Sequence, residues 1–196
     1  MQIEPVTLAG RHVRLEPLGP AHADPLWEQA RDPELWRWTV SRINSRSDFD
    51  AYLDRAHAEA AAGSSLPFAT VETAGGKPVG STRFGNISVR DRRVEIGWTW
   101  IGRPWQRSAV NTEAKLLMLR HAFEHWGCVR VELKTSSLNT VSRRAIARIG
   151  GVEEGTLRRH TRLEDGTWRD TVYFSILDSE WPVVRDRLEA RLAEPR

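Results

Sequence analysis

The sequence predicts a mixed α/β fold in which one central, twisted mixed sheet has helices on both of its faces. The elements follow one another as a strand, two helices, three strands, a helix, a strand, a helix, a hairpin and a last helix. Apolar residues alternate in the strand segments and recur every three or four positions in the helical ones. No repeat, low-complexity segment or linker interrupts the 196 residues, so we expect a single domain over residues 1–196.

The first half of the chain supplies the first strands and two helices. We predict a strand over 11–16, a helix over 20–31 after Pro20, and a helix over 47–62 that Ser47 caps and Gly63 ends. One face of the second helix is apolar and carries Phe49, Tyr52, Leu53 and Ala56. Strands over 66–73 and 77–87 flank the turn at Gly75 and Gly76.

The segment from Glu95 to Glu113 is the most informative part of the chain. Alternation predicts a strand over 93–101 with Val94, Ile96, Trp98 and Trp100 on one face and Glu95 and Gly97 on the other. From Asn111 onward the period becomes helical, and Gly127 is placed to cap that helix. The amides at such a helix N-terminus suit an anion such as a pyrophosphate, although an ordinary connection between strand and helix remains the alternative.

The second half of the chain completes the sheet. We predict a strand over 129–135 and a short helix over 140–149 that ends at Gly150 and Gly151. Strands over 155–163 and 167–177 flank Asp165-Gly166, which is a hairpin signal, and a last helix begins near Glu180.

Composition favours a cytoplasmic protein without a membrane or nucleic-acid partner. The net charge is only +3, no apolar run approaches 18 residues, and the N-terminus carries no export signal. The single cysteine, Cys128, fits a reducing compartment and is interpreted as a buried side chain. The arginine-rich stretch at 158–162 alternates with acidic neighbours, so we interpret it as a solvated surface of mixed sign.

A zinc-protease pattern also occurs, and we do not expect it to bind metal. His121 and His125 match H-x-x-E-H on a helix, but both lie off the apolar stripe and no third ligand follows at a suitable spacing. We therefore predict surface histidines and no metal site.

The chain resembles the GNAT N-acetyltransferases, and within them the RimJ/RimL type that acetylates protein N-terminal amines. The likeness runs over about residues 7–192 and is carried by the strand 95–100, the loop 106–111, Thr112-Glu113-Ala114, the segment 138–142 and the closing hairpin. It implies acetyl-CoA as co-substrate and no metal. The residues implied to bind the cofactor are Trp98, Thr99, Trp100, Ile101, Gln106, Arg107, Ser108, Ala109, Val110, Asn111 and Asn139.

The cofactor loop departs from the family pattern at two places. Gln106 is kept, but Ala109 and Asn111 stand at glycine-type positions, where glycine lets the backbone approach a phosphate. Asparagine tolerates unusual backbone angles and can cap a helix, so we expect Asn111 to be accepted there.

The resemblance also implies two catalytic residues. Glu95 would orient the amine or relay its proton through water, with the bare Gly97 beside it leaving room for substrate. The alternative for Glu95 is an exposed strand glutamate paired with Arg92 or Arg93. Ser142 would protonate the leaving thiolate, since Ile146 stands where many relatives carry a tyrosine, and Tyr173 is the other hydroxyl considered. Asn139 is either a pantetheine ligand or a helix cap.

The acceptor is not fixed by the sequence. We predict that at least one of Trp36 and Trp38 lines the acceptor mouth, opposite the hairpin that carries Trp168, while packing in the core or a dimer contact is the alternative. The acceptor is expected to be a protein N-terminus or a small molecule, and the protein a monomer or a homodimer. A protein that binds acyl-CoA without turnover is the remaining alternative.

Overall fold

The computed structural model describes residues 1–194 and contains the predicted mixed sheet with helices on both faces. The helices are α1 (Ala23–Ala30), α2 (Arg46–Ala61), α3 (Ala109–Arg120), α4 (Thr140–Arg148) and α5 (Trp181–Ala193). The strands are β1 (Leu8–Ala9), β2 (Val13–Pro17), β3 (Leu66–Glu72), β4 (Pro78–Ser88), β5 (Arg93–Ile101), β6 (Arg130–Ser136), β7 (Val152–Arg162) and β8 (Trp168–Leu177). They lie in the order β1-β2-β3-β4-β5-β6-β8-β7.

The pairing of β5 with β6 creates a cleft in the middle of the sheet. These strands are parallel and pair only over residues 93–95 and 130–132. Both strands continue beyond that point, β5 to Ile101 and β6 to Ser136. The backbone edge of β5 that faces β6 therefore has no strand partner after Glu95, and the two strands part.

Two hydrophobic clusters cover the sheet unequally. The larger cluster packs α3, α4 and α5 against one face and includes Val94, Ile96, Val131 and Phe174. The smaller cluster packs α1 and α2 on the opposite face but receives no residue from β6, β7 or β8. On that side the second half of the sheet is open, and it presents polar side chains.

Two details of the first half differ from the prediction. Ser45, not Ser47, caps α2, because its hydroxyl accepts the Asp48 amide while the Asp48 carboxylate accepts the Asn44 and Ser45 amides. The first long strand begins at Val13, and the two-residue β1 that pairs with it was not predicted.

A buried carboxylate attaches the N-terminal strands to α3. Glu113 accepts the backbone amides of Arg11, His12 and Val13 at 2.9, 2.6 and 2.8 Å. Such bonds satisfy the buried charge and fix α3 against the start of β2.

The end of α3 agrees in part with the prediction. A π-helical turn over His121–His125 ends the helix, and Gly127 has φ +62°, so the predicted cap is confirmed. His125 is exposed, whereas His121 is half-buried against Trp126, with ring centroids 4.8 Å apart. Cys128 is buried as predicted, and burial raises the pKa of its thiol to about 11.

Across residues 1–194 we find no helix with the length and apolarity needed to cross a membrane. Those residues also contain no group of three potential metal ligands.

Candidate active site

A β-bulge in β5 shapes the cleft and corrects the predicted strand faces. Arg83 pairs with Gly97 and Ser81 with Trp100, so β5 has one residue more than β4 between those pairs, and Trp98 has φ +50°. The extra residue reverses the alternation. Val94 and Ile96 face the α3 side, but Trp98 and Trp100 contact the α1/α2 cluster. The prediction that all four share one face is wrong.

Glu95 lies where β5 and β6 begin to part. Its side chain is 3% exposed. The Oε2 atom accepts a hydrogen bond from Asn86 Nδ2 at 2.6 Å and forms an ion pair with Lys134 Nζ at 2.9 Å. The alternative of an exposed glutamate paired with Arg92 or Arg93 is therefore wrong. Oε1 makes no hydrogen bond with any of residues 1–194, so it remains open as an acceptor.

The missing side chain of Gly97 leaves room for the carboxylate of Glu95. A Cβ atom on Gly97 would lie 2.8 Å from Glu95 Oε1. The space that the sequence analysis assigned to substrate is thus occupied by the glutamate's own carboxylate, and any larger residue at 97 would displace that carboxylate.

The polar face beside Glu95 includes residues that sequence reasoning did not select. Lys134 of β6 pairs in register with Tyr173 of β8, and the Lys134 ammonium lies 5.6 Å from the Tyr173 ring centroid. Arg169 lies on the same face of β8, four residues from Tyr173. Tyr173 was expected to pack within the sheet, but it is half-buried on the polar face and contacts His160.

The predicted anion site lies at the N-terminus of α3. The helix begins at Ala109, because Ser108 caps it by accepting the Val110 amide at 3.2 Å. The sequence analysis considered Asn111 as a possible cap, but Asn111 lies inside the first turn of α3. Its Oδ1 atom is buried without a hydrogen-bond partner in residues 1–194. Arg107 has φ +60°, and no acidic residue stands in the first turn. Gln106 Nε2 donates to the Ile101 carbonyl and closes the loop.

The four β5 residues assigned to the cofactor point their side chains away from the cleft edge. Trp98 packs over Arg83, and Trp100 is buried among α1 and α2. Ile101 enters the larger cluster, while the Thr99 hydroxyl accepts a hydrogen bond from Lys115 at 2.7 Å. What β5 offers to a ligand in the cleft is its unpaired backbone.

Lys115 of α3 is buried under the bulge. It is 5% exposed, and its ammonium also donates to Thr82 at 3.3 Å. Neither partner is charged, so burial lowers the pKa of Lys115 to about 7.

The start of α4 forms the other side of the cleft. Asn139 caps α4 through its Oδ1 atom, which accepts the Ser142 amide at 3.0 Å. This bond occupies the oxygen and leaves the Nδ2 donors of Asn139. The Ser142 hydroxyl is half-buried and makes no hydrogen bond within residues 1–194. It is free to donate a proton.

The two candidate acceptor residues have different environments. Trp36 is 3% exposed, and its Nε1 donates to the Ala30 carbonyl at 2.6 Å, so it is a core residue and its assignment to the acceptor mouth is wrong. Trp38 is half-buried, with the Arg37 guanidinium 5.0 Å from its ring centroid. An Arg42–Asp165 ion pair at 3.5 Å joins this loop to the closing hairpin, where Trp168 is exposed.

The strand register could have revealed the missed residues. In Arg130-Val131-Glu132-Leu133-Lys134 the charged side chains alternate with apolar ones and share a face. Alignment of this segment with β5 places Glu132 beside Glu95 and Lys134 just beyond. Without the parallel register, the alternation alone indicates only a strand with one polar face.

Residues 12–152 match the family model described as an acetyltransferase (GNAT) domain. Among curated proteins the chain is similar to the "Putative ribosomal N-acetyltransferase YdaF" of Bacillus subtilis (strain 168), with 32% identity over 106 residues. That alignment covers 54% of this chain and 57% of the relative, so the chain spans little more than half the length of the curated relative it matches.

Two solved structures extend the similarity over nearly the whole chain. A GCN5-related N-acetyltransferase from Brucella melitensis superposes with a TM-score of 0.90 at 33% identity, over 97% of this chain and 86% of that one. Mycobacterium smegmatis RimJ, solved in complex with CoA-disulfide, superposes with a TM-score of 0.74 at 27% identity, over 94% and 91% of the two chains.

Proposed function

The chain belongs to the GNAT family of N-acetyltransferases and is RimJ/RimL-like, and on this premise we propose that it transfers the acetyl group of acetyl-CoA to the α-amino group of a protein or peptide. The observation that carries the proposal is the cleft between β5 and β6, which has an unpaired backbone edge, Glu95 at its apex and a helix N-terminus at its end. We also infer that residues 1–196 form one domain that works in the cytoplasm.

The residues at the end of the cleft suit the phosphates of CoA. The first-turn amides of α3, the positive end of its dipole and the absence of an acidic residue in that turn favour an anion. The Asn139 Nδ2 donors and the β5 backbone would bind the amide groups of the pantetheine arm. Acetyl-CoA supplies the activated acetyl group as a thioester.

Glu95 is suited to receive the proton of the attacking amine. The amine nitrogen would form a bond to the acetyl carbon as the carbon–sulfur bond breaks, with no acyl-enzyme. Oε1 of Glu95 would accept the proton through water, while Asn86 and Lys134 hold Oε2 in place. The Ser142 hydroxyl would donate a proton to the leaving thiolate and would take one back from water, to which Glu95 returns the proton of the amine.

An α-amine is the easier acceptor for this arrangement. At pH 7, deprotonating an α-amino group costs about 1 kcal/mol and a lysine amine about 4.6 kcal/mol. One carboxylate working through water is adequate for the first task. One relative is named a putative ribosomal N-acetyltransferase, which supports a protein as the acceptor.

The test combines acetyl-CoA with peptides that differ only in which amine is free. One set has a free N-terminus and no lysine, and the matched set has a blocked N-terminus and one lysine. We expect thiol release and a mass gain of one acetyl group only with the first set. Acetylation of lysine peptides or small amines alone would overturn the α-amine assignment, and CoA binding without turnover of any amine would overturn transfer itself.

Glu95→Gln provides the matched test of the base. It should lower kcat/KM for the peptide most at low pH, where more of the amine is protonated. Glu132→Gln is the control, because Glu132 lies on the same face and one strand away in register. Equal activity of both variants would exclude Glu95 as the proton acceptor.

A further inference from the structure

The polar face around Glu95 carries more positive than negative charge. The carboxylate is matched by the Lys134 ammonium, which forms an ion pair with it. The neighbouring Glu132 is already paired with Arg93 and Arg130. Arg169 is a second positive charge near Glu95, and it forms no ion pair of its own within residues 1–194.

The guanidinium of Arg169 has no direct partner in the described part of the chain. Its guanidinium forms no ion pair or hydrogen bond with any of residues 1–194, and its Nε atom is buried without a partner. Burial lowers the pKa of this arginine, with Glu95 and Tyr173 acting in the opposite direction. A half-buried guanidinium that lacks an acceptor loses hydration without compensation, so an anion supplied from outside would stabilise it.

The position of Arg169 places that anion on the acceptor side. Arg169 is four residues from Tyr173 along β8, about 13 Å of strand, and Tyr173 pairs in register with Lys134. The Arg169 guanidinium is close enough to Glu95 for the two charges to interact, so an extended peptide whose amine reaches Glu95 would pass Arg169 within its first four residues. Arg169 lies on the Glu95 face of the sheet, whereas α3, whose N-terminus is the proposed phosphate site, packs on the opposite face.

The rest of the hairpin carries charges of both signs, as predicted. Arg158 and Arg159 line a surface depression of about 640 Å³ together with Thr156, Leu157 and Asp170. Neither arginine forms an ion pair within residues 1–194, but the Asp170 carboxylate lines the same depression. The net positive charge that bears on the acceptor is therefore that of Arg169 on the Glu95 face.

We propose that Arg169 is an anion subsite that binds a carboxylate of the acceptor, so that the enzyme selects peptides with an acidic side chain within their first four residues. This inference depends on the proposed function, because it names the substrate class of the same site. It assigns Arg169 a role in acceptor binding and none in binding CoA.

The test compares amidated peptides that carry one aspartate at the second, third or fourth position with matched asparagine peptides. At low salt we expect at least one aspartate peptide to have a KM roughly tenfold lower than its asparagine partner, as a charged hydrogen-bonded pair provides. Arg169→Met should abolish that preference and leave the KM for acetyl-CoA unchanged. Arg162→Met is the control, since Arg162 is an exposed arginine of the same hairpin without an ion pair in residues 1–194.

Charge reversal separates binding from a structural role. Arg169→Glu should prefer the peptide with lysine at the selected position, which no loss of stability would produce. Equal KM values for aspartate and asparagine peptides would overturn the subsite while leaving peptide acetylation intact. An effect of Arg169→Met on the KM for acetyl-CoA would also overturn the subsite. A preference for free aspartate over the amidated peptides would overturn the peptide as its occupant, because the carboxylate would then belong to a small acceptor. Failure to acetylate any peptide would refute the proposed function and the inference together.

Discussion

The buried Lys115 makes the stability of the protein depend on pH in a window where few groups titrate. Its ammonium has only the Thr82 and Thr99 hydroxyls as partners, and burial lowers its pKa from 10.5 to about 7. Above pH 10.5 the amine is neutral in both the folded and the unfolded protein, so Lys115 does not make the free energy of unfolding depend on pH there. Between pH 7 and 10.5 the unfolded chain binds a proton that the folded protein does not, and unfolding is favoured as the pH falls.

The magnitude follows from that interval. At about 1.4 kcal/mol per pH unit, the free energy of unfolding is lower by ~5 kcal/mol at neutral pH than at high pH, as an upper bound. Lys115→Met removes the titrating group and keeps the length of the side chain. The Thr82 and Thr99 hydroxyls remain hydrogen-bonded to each other at 2.7 Å, so the substitution leaves neither without a partner.

Urea denaturation at several pH values measures this effect. The free energy of unfolding of Lys115→Met minus that of the unmodified protein should fall by about 2.5 kcal/mol between pH 7.5 and 9.5. Lys77→Met is the control, because Lys77 is exposed, and its curve should run parallel to that of the unmodified protein. A difference for Lys115→Met that stays constant over this range would refute the assignment of a neutral lysine.

Three further outcomes are expected. Ser142→Ala should lower kcat by roughly 10²-fold with little change in the KM for acetyl-CoA, since an acid acts in the transition state; an equal change in both would contradict that role. Ala109→Ile should weaken CoA binding in calorimetry by about tenfold or more, because a branched side chain at the first residue of α3 obstructs an anion there; unchanged affinity would remove the site. Trp38→Ala should raise the acceptor KM at an unchanged melting temperature, whereas Trp36→Ala should cost about 3–5 kcal/mol of stability; the reverse pattern would exchange their roles.

Much of the fold could be predicted from the sequence because periodicity and turn residues carried the information. Strand β5 has the predicted bounds, 93–101, and the hairpin at Asp165-Gly166 forms as expected. The bulge could not be predicted, since the residues around Trp98 continue the alternation without a break. Only pairing with β4 shows that β5 contains one residue too many.

Similar local signals also produced the errors at helix starts. Ser45 and Ser47 are each followed three residues later by an aspartate, so both match the same capping pattern.

Trp36 was expected at the surface because it lies in a connection, but the connection folds over the aromatic rings of α2 and buries it. The roles of Lys134 and Arg169 become visible only when the strand register places Lys134 next to Glu95 and Arg169 on the same face of β8.

The three hydrogen bonds at Glu113 have a consequence for synthesis of the chain. They join amides near the N-terminus to a carboxylate about one hundred positions later. Translation proceeds at roughly 5–20 residues per second. During synthesis, the amides of residues 11–13 therefore lack the Glu113 carboxylate as their acceptor until α3 has been translated. The helix whose N-terminus we assign to phosphate binding thus acquires its final position only after segments about one hundred residues apart have met.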